Sequence, residues 1–358
     1  MPVWVEVDLV PDAWKERSFA RSLSGSVAAG SWHPGVRIAL INNMPDGALE
    51  DTELQFFELL EAASGSVPVS FKLFSLPGIA RTQRGESRLS SFYSSINELW
   101  DGRFDAVIMT GTEPHSPTLP QEPYWPVLTR VLDWAEENTL TTVLSCLAAH
   151  AGVLYSDGIP RRALSAKRCG VFDSTSVDHV PLISGAPAVM RFPHSRWNEV
   201  PEDALKACGY AALTHSMEAG VDLFTKKKKR SLFVHFQGHP EYGAYTLLKE
   251  YRRDVKRFLN HERDTYPALP QGYFDNTFVE QFTAFQDRAI ADRRESLMAC
   301  FPDSTVTATL RRTWQLTAVC IYSNWLHYIV ARKARLSKPV DKPRAMVGRF
   351  LEKQPAVP

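Results

Sequence analysis

Cys146 stands in the stretch TTVLSCLAAHAGVLY (141–155), after β-favouring and apolar residues and before a helix-like run. A strand-to-helix turn at that point is a nucleophile elbow. It lifts the side chain to the top of a sheet and aims backbone N–H groups at an oxyanion. The start of the helix also favours thiolate. Ser145, Ala148 and Ala149 are small enough for so tight a turn. The same letters are equally readable as a strand ending in a buried, inert cysteine. A second piece is QGHPEY (237–242), where a strand-like run delivers His239 and then Glu241. A carboxylate so placed orients an imidazole whose other nitrogen faces a thiol, the Cys–His–acid logic of nucleophilic catalysis. Taken alone, His-x-Glu is also a common structural pair.

The elements that must position these groups follow from periodicity. VRIALIN (36–42), VSFKLFSL (69–76), FDAVIMTG (104–111) and TLTTVLSC (139–146) read as strands. Between them, ALEDTELQFFELLEAAS, SSFYSSINELW (90–100) and PYWPVLTRVLDWAEEN (123–138) read as helices. Strands alternating with helices predict an α/β fold with a mostly parallel sheet flanked by helices, and ligands then gather at the carboxyl ends of the strands. Three loops leave such ends: NNMPDG (42–47), GTEPHSP (111–117) and the turn at Cys146. Residues 1–35 read as an irregular arm with Trp4, Trp14 and Trp32 as packing points. GVDLFTKKKKRSLFVHFQGHPEY reads as a hairpin whose solvated tip is the basic run Lys226–Arg230. AYTLLKEYRRDVKRFL (244–259) is amphipathic, with Leu247, Leu248, Tyr251, Val255 and Phe258 on one side. Two further helices are expected over 275–301 and 308–333, then a loose Pro-rich tail.

Composition narrows the function classes. The 358 residues carry 41 basic and 40 acidic side chains, so no global field points to nucleic acid or an anionic membrane. The hydrophobic fraction of 44% and charged fraction of 23% are those of an ordinary globular protein. No apolar run is long enough for a membrane span, and the first residues lack the apolar core of a secretory signal. The five cysteines are scattered without CxxC or Cys/His ligand spacing, so neither a metal site nor a disulfide framework is expected, and a reducing cytoplasm fits.

Taken together, the elbow cysteine and the later His-Pro-Glu resemble the homoserine O-acyltransferase family (homoserine O-succinyltransferase or O-acetyltransferase), built on the class I glutamine amidotransferase-like fold. The resemblance is carried by NNMP…TELQF, TGTEP…PYW, SCLAAHAGVLYSDGIP, KRCGVF, PHSRWNEV, EAGVDLF, GHPEYGAYTLLKEYRRD and SNWLHY. These run in family order over roughly residues 36–260, with a last patch near 314–330. The resemblance implies that Cys146 forms an acyl-thioester, that His239 is the general base and Glu241 its orienting acid. It also implies that Lys167, Ser195 and Arg253 contact the amino-acid substrate. Leu147 and Asn43 belong to the oxyanion region, and His115 to the region that bears on acyl-donor choice. The implied substrates are small molecules, an acyl-CoA co-substrate (acetyl-CoA or succinyl-CoA) and homoserine or a similar hydroxy amino acid. No bound cofactor is implied, and a homodimer is. The implied organisation is an arm (1–35), the acyltransferase domain (36–262), a helical extension packed on the core (263–335) and a tail (336–358).

The chain departs from the family pattern in places. Leu147 replaces the usual Trp, His150 the usual Gln, and Trp197 the last His of PHSRH, while His115 replaces Gly or Glu. His150 is either a polar residue on the elbow helix or a rival base. Residues 261–313 replace a shorter connection. Two other classes stay open: a glutamine amidotransferase using the same triad, and a non-catalytic scaffold. Against the former, the Gly-x-Cys-x-Gly elbow and the phosphate loop G-x-x-x-x-G-K-S/T are both absent.

Overall fold

In the computed structural model, which describes residues 3–6, 35–178, 180–303 and 310–337, the run VRIALI alternates between two apolar layers. Ile38 and Leu40 enter one core and Ala39 and Ile41 the other, as the two-residue repeat of a strand buried on both faces requires. In chain order the elements are β1 (Val3–Val5), β2 (Val36–Ile41), α1 (Asp46–Ser64), β3 (Val69–Phe74), α2 (Gln83–Phe92), α3 (Asn97–Asp101), β4 (Ala106–Met109), α4 (Trp125–Asn138), β5 (Thr141–Ser145) and α5 (Leu147–Asp157). There follow β6 (Arg162–Ser176), β7 (Met190–Glu199), α6 (Glu202–Ala207), β8 (Ala211–Ala212), β9 (Thr214–Ser216), β10 (Gly220–Val221), β11 (Leu223–Lys228), β12 (Ser231–Phe236), α7 (Thr246–Leu259), α8 (Asn276–Ala291) and α9 (Gln315–Leu336).

The main sheet has the order β1-β3-β2-β4-β5-β12-β11-β8. It is parallel from β1 through β12, and β11 and β8 continue it antiparallel, so the expected α/β fold with a mostly parallel sheet is present. One face is covered by α1 and α9, the other by α4 and α5. A second, antiparallel sheet, β10-β9-β6-β7, stands beside it. The predicted face of α7 is buried and packs on α8 through Phe258, Phe282 and Phe285. Among the described residues no helix is long and apolar enough to cross a membrane.

Some expectations about local structure are corrected. The segment read as an irregular arm contains β1, which joins the sheet edge parallel to β3; Trp14 and Trp32 lie outside the described residues, as does the tail beyond Ser337. The helix expected over 90–100 is instead the end of α2 and the short α3. Between them the chain is drawn to the sheet, where Ser94 N–H donates to Leu73 and the Tyr93 hydroxyl donates to Glu53 at 2.7 Å. The helix expected over 275–301 stops at Ala291, and a 3-10 turn covers Glu295–Cys300. There Arg293 turns inward to donate to the Phe258 and Arg263 carbonyls. The last helix starts at Gln315, later than expected. The basic hairpin tip is less free than a solvated turn. Lys226 pairs with Asp157, Lys228 with Glu136 and Lys229 with Glu137, which ties the hairpin to α4 and α5.

Candidate active site

β5 lies in the middle of the sheet, and its last hydrogen bond sets the position of Cys146: the Cys146 N–H donates to Phe236 of β12 at 2.8 Å. The chain then turns sharply. Cys146 has φ 54° and ψ −114°, a conformation that L residues adopt at a cost and that elbows exploit. Its carbonyl already accepts the N–H groups of Ala149 and His150, so α5 begins at Leu147. The thiol is half-buried rather than walled in. Gly111, at the end of the neighbouring loop, lies against the elbow: a Cβ there would sit 2.7 Å from Leu147 Cβ and 2.9 Å from Leu147 N.

β12 runs parallel to β5 in direct register, with Phe236 opposite Ser145. Both strands therefore end at the same level, which brings segments far apart in sequence together. His239 is held from behind by its N–H to the Pro193 carbonyl, 2.8 Å. Its Nδ1 lies 2.9 Å from Glu241 Oε1, which also accepts Ser145 Oγ–H at 3.1 Å. Tyr242 stacks on the imidazole, ring centres 4.1 Å apart. A proton on Nδ1, donated to Glu241, leaves Nε2 for the thiol. Burial opposes charge on this ring, yet the Cys146 thiolate and Glu241, both hydrogen-bonded to it, hold its pKa well above the ordinary value. The imidazole thus faces the sulfur on one side and the carboxylate on the other, an arrangement able to activate a cysteine.

Lys167, Ser195 and Arg253 also come together, on two carboxylates of α7. Lys167 Nζ is 2.7 Å from Asp254 Oδ2 and 3.8 Å from Glu250 Oε2. Ser195 donates to Glu250, and Arg253 Nε and Nη2 each reach Asp254 Oδ1 at 3.2 Å. Burial raises the Asp254 pKa, but Lys167 and Arg253 more than reverse this and hold it below its ordinary value. The Tyr242 hydroxyl donates to Glu250 at 2.6 Å, so one aromatic ring joins the His239 imidazole to this cluster. Tyr242, Glu250 and Asp254 were not singled out from the sequence. The available signal was the pair of acids one helical turn apart, the second on the buried face of α7.

The family model for homoserine O-succinyltransferase matches residues 22–336. A homoserine O-succinyltransferase of Methylorubrum extorquens is 43% identical over 314 residues, 87% of this chain and 93% of that protein. One of Rhodopseudomonas palustris is 44% identical over 291 residues, 81% and 87% of the two chains. The chain belongs to the homoserine O-succinyltransferase family. It is an enzyme of the acyltransferase class. Among solved structures, a glutamine amidotransferase of Methylobacillus flagellatus aligns with 83% of this chain and 96% of its own, at 14% identity and a TM-score of 0.46.

The residues at which this family member is unusual have distinct surroundings. His150 is buried on α5 with Nε2 3.1 Å from Gln237 Oε1, and burial pushes its pKa down to about 3. Its ring is held neutral by burial and is already engaged by Gln237. Leu147 packs in the apolar layer beneath the elbow. Trp197 is half-exposed on the same face of β7 as Ser195. His115 is exposed on a loop fastened by Glu122, whose Oε1 accepts the N–H groups of His115 and Ser116 at 2.7 Å each. The Asn43 side chain donates to the Thr110 carbonyl and accepts Leu76 N–H, and its own N–H donates to Thr110 Oγ1 at 2.8 Å. Asn43 thus splices two strand-end loops together, and its N–H is already engaged. Behind His239, buried Asp222 accepts Gly238 N–H and lies 3.5 Å from His194 Nε2.

Proposed function

We propose that the protein transfers an acyl group from acyl-CoA to the hydroxyl of homoserine through a thioester on Cys146. The observation that carries this reading is the hydrogen-bonded Cys146–His239–Glu241 set at the strand-to-helix elbow. The thiolate attacks the carbonyl carbon of the donor, and the resulting oxyanion meets the N–H of Leu147 and that of Gly111, which is packed against it. The bond from that carbon to the CoA sulfur breaks, and the leaving thiolate takes the proton from His239. The exchange trades one thioester for another. Homoserine then enters, His239 Nε2 takes its hydroxyl proton, the oxygen attacks the acyl carbon, and the Cys146 thiolate leaves. Arg253, with donors to spare beyond Asp254, suits the α-carboxylate, and Glu250 suits the α-ammonium. Lys167 and Ser195 hold Glu250 in place for that contact. The products would be free CoA and an O-acyl amino acid, made in the cytoplasm by a homodimer as in the resemblance above.

The decisive assay mixes the purified protein with acyl-CoA and homoserine and follows free thiol, with glutamine as a control substrate. Acyl-CoA alone should leave a trapped acyl group on Cys146, detectable by peptide mass. Full turnover by Cys146→Ala, or glutamate release from glutamine without homoserine acylation, overturns the reading.

A further inference from the structure

Hydrogen bonds alone do not fix the plane of the His239 ring. Its Nδ1 meets Glu241 Oε1 at 2.9 Å, and its backbone N–H meets the Pro193 carbonyl at 2.8 Å. One bond at the edge of an imidazole leaves it room to rock about Cβ–Cγ, a broad torsion. A parallel ring closes off that motion. Tyr242 supplies one: the two rings lie 15° from parallel with centres 4.1 Å apart. An aromatic face also attracts a cation lying over it, so the phenol suits the protonated imidazole.

Tyr242 is itself held on several sides. It is 4% exposed and packs among Val171, Leu247 and Trp314. Its N–H donates to the His239 carbonyl at 3.1 Å, and its carbonyl accepts Trp314 Nε1–H at 2.9 Å. Burial and the nearby Glu250 charge hold the phenol's pKa well above the ordinary value, so its oxygen stays a donor. A buried phenol needs some acceptor. Here the acceptor is Glu250 Oε1, at 2.6 Å, in the cluster of Lys167 and Ser195. Ser195 donates to the other Glu250 oxygen. A carboxylate offers about four lone-pair sites, so Glu250 can still accept from an amino acid's ammonium.

We propose that Tyr242 is a positioning residue that couples the amino-acid cluster to the imidazole. Its ring sets the plane of His239, and its hydroxyl, anchored on Glu250, sets the ring. An acceptor whose ammonium meets Glu250 therefore steadies the same imidazole that takes its hydroxyl proton. The acceptor half of the reaction depends on ring and anchor together, and the donor half chiefly on the ring. The place given to the acceptor rests on the acyl-transfer reading above; the hold of the ring on His239 does not.

The test uses Tyr242→Phe, which keeps the ring and removes the anchor, and Tyr242→Leu, which removes both. With a covalent intermediate, kcat/KM for acyl-CoA reports the donor half and kcat/KM for homoserine the acceptor half. Tyr242→Phe should lower the homoserine value about tenfold, the loss of one strong hydrogen bond, and the acyl-CoA value several-fold less. Tyr242→Leu should lower both about 100-fold, the cost of a misplaced reacting group. A second readout needs no turnover: the rate at which iodoacetamide alkylates Cys146 at neutral pH, read by peptide mass. That rate should fall about tenfold in Tyr242→Leu and recover most of the loss in Tyr242→Phe. Equal losses of the two kcat/KM values in Tyr242→Phe, or wild-type values for both, overturn the coupling. An unchanged alkylation rate in a folded Tyr242→Leu, with only a lower melting temperature, reduces the ring to packing and overturns the proposal. Should Tyr242→Leu fail to fold, the ratio of the two values in Tyr242→Phe, which lacks one oxygen, decides. A protein that acylates nothing, yet shows the slowed and recovered alkylation, overturns the acyltransferase reading and leaves the hold of Tyr242 on His239 standing.

Discussion

At the scale of single residues, the proposed catalytic set depends on one carboxylate. Glu241 both orients the His239 ring and raises its pKa. Glu241→Gln keeps the shape and removes the charge. We expect kcat/KM to fall about 10²- to 10⁴-fold, in line with neutralising the acid of a comparable triad. The alkaline limb of the pH profile should also move to lower pH, because imidazolium is lost sooner; a loss with no such movement would assign Glu241 a purely steric role. Asp222 makes a second case. Burial raises its pKa to about 7, only partly offset by the Gly238 N–H and by Arg196 and His239. The folded state therefore keeps a proton that the unfolded chain has lost, so this carboxyl withdraws stability as pH climbs from about 4 to about 7. Asp222→Asn should be more stable than the wild type at pH 8 by on the order of 2–4 kcal/mol, and equal to it near pH 3.5, in denaturant titrations. A gap that does not close on acidification counts against the assignment. Cys146, His239 and Glu241 were legible because their types and local motifs are distinctive. Glu250 and Asp254 were not, because acids on an amphipathic helix read as its solvated side, and only the fold brings Lys167 and Ser195 over them.

At the scale of elements, strands and their order in the sheet position the site more than any loop does. The apolar runs 36–42, 69–76, 104–111 and 139–146 were legible because a strand buried on both faces leaves an unbroken apolar signature. Helix ends were less legible. The break at Tyr93–Ile96 exists so that Ser94 can bond to β3 and Tyr93 can reach Glu53, contacts invisible to local periodicity. The engagement of Asn43, expected in the oxyanion region, with Thr110 is likewise tertiary and invisible to local periodicity. The loop that does touch the elbow gives a sharp prediction. With no side chain, Gly111 can press against Leu147; a methyl group would stand 2.7 Å from Leu147 Cβ and must push the loop or the elbow aside. A shift near 1 Å at a reacting centre costs roughly 10²-fold in rate. Gly111→Ala should therefore lose about that much kcat while its melting temperature falls by only a few degrees. Unchanged kcat would detach this loop from the chemistry.

At the scale of the whole molecule, the last helix is woven into the first core. Ala318, Ile321, Trp325 and Ile329 of α9 share one apolar cluster with Phe56, Leu59 and Leu60 of α1 and with Ile38 and Leu40 of β2. Trp325, 1% exposed, donates Nε1–H to Thr141 Oγ1 at the start of β5, the strand that leads into Cys146. Just before α9, buried Trp314 donates to the Tyr242 carbonyl, behind the ring that stacks on His239. Lys333 closes the far end on the Gly35 carbonyl and Asp105. Sequence periodicity gave this helix its existence but not its place, because an apolar face does not say which layer it will cover. The expected division into a core ending near residue 262 and an added extension therefore has a testable consequence. A chain truncated after residue 310 would expose the α1 side of the sheet, so it should be recovered aggregated or as a compact state without fixed packing, and inactive. Truncation alone confounds lost packing with lost length, so the point variant matters. Trp325→Ala leaves every other contact intact and should cost about 3–5 kcal/mol, the range for emptying a buried aromatic site. Urea titration followed by tryptophan fluorescence and by activity should give coincident transitions at a lower midpoint. If instead the truncated chain folds and turns over substrate, α9 is an accessory to a core that stands by itself, and β5 owes it nothing.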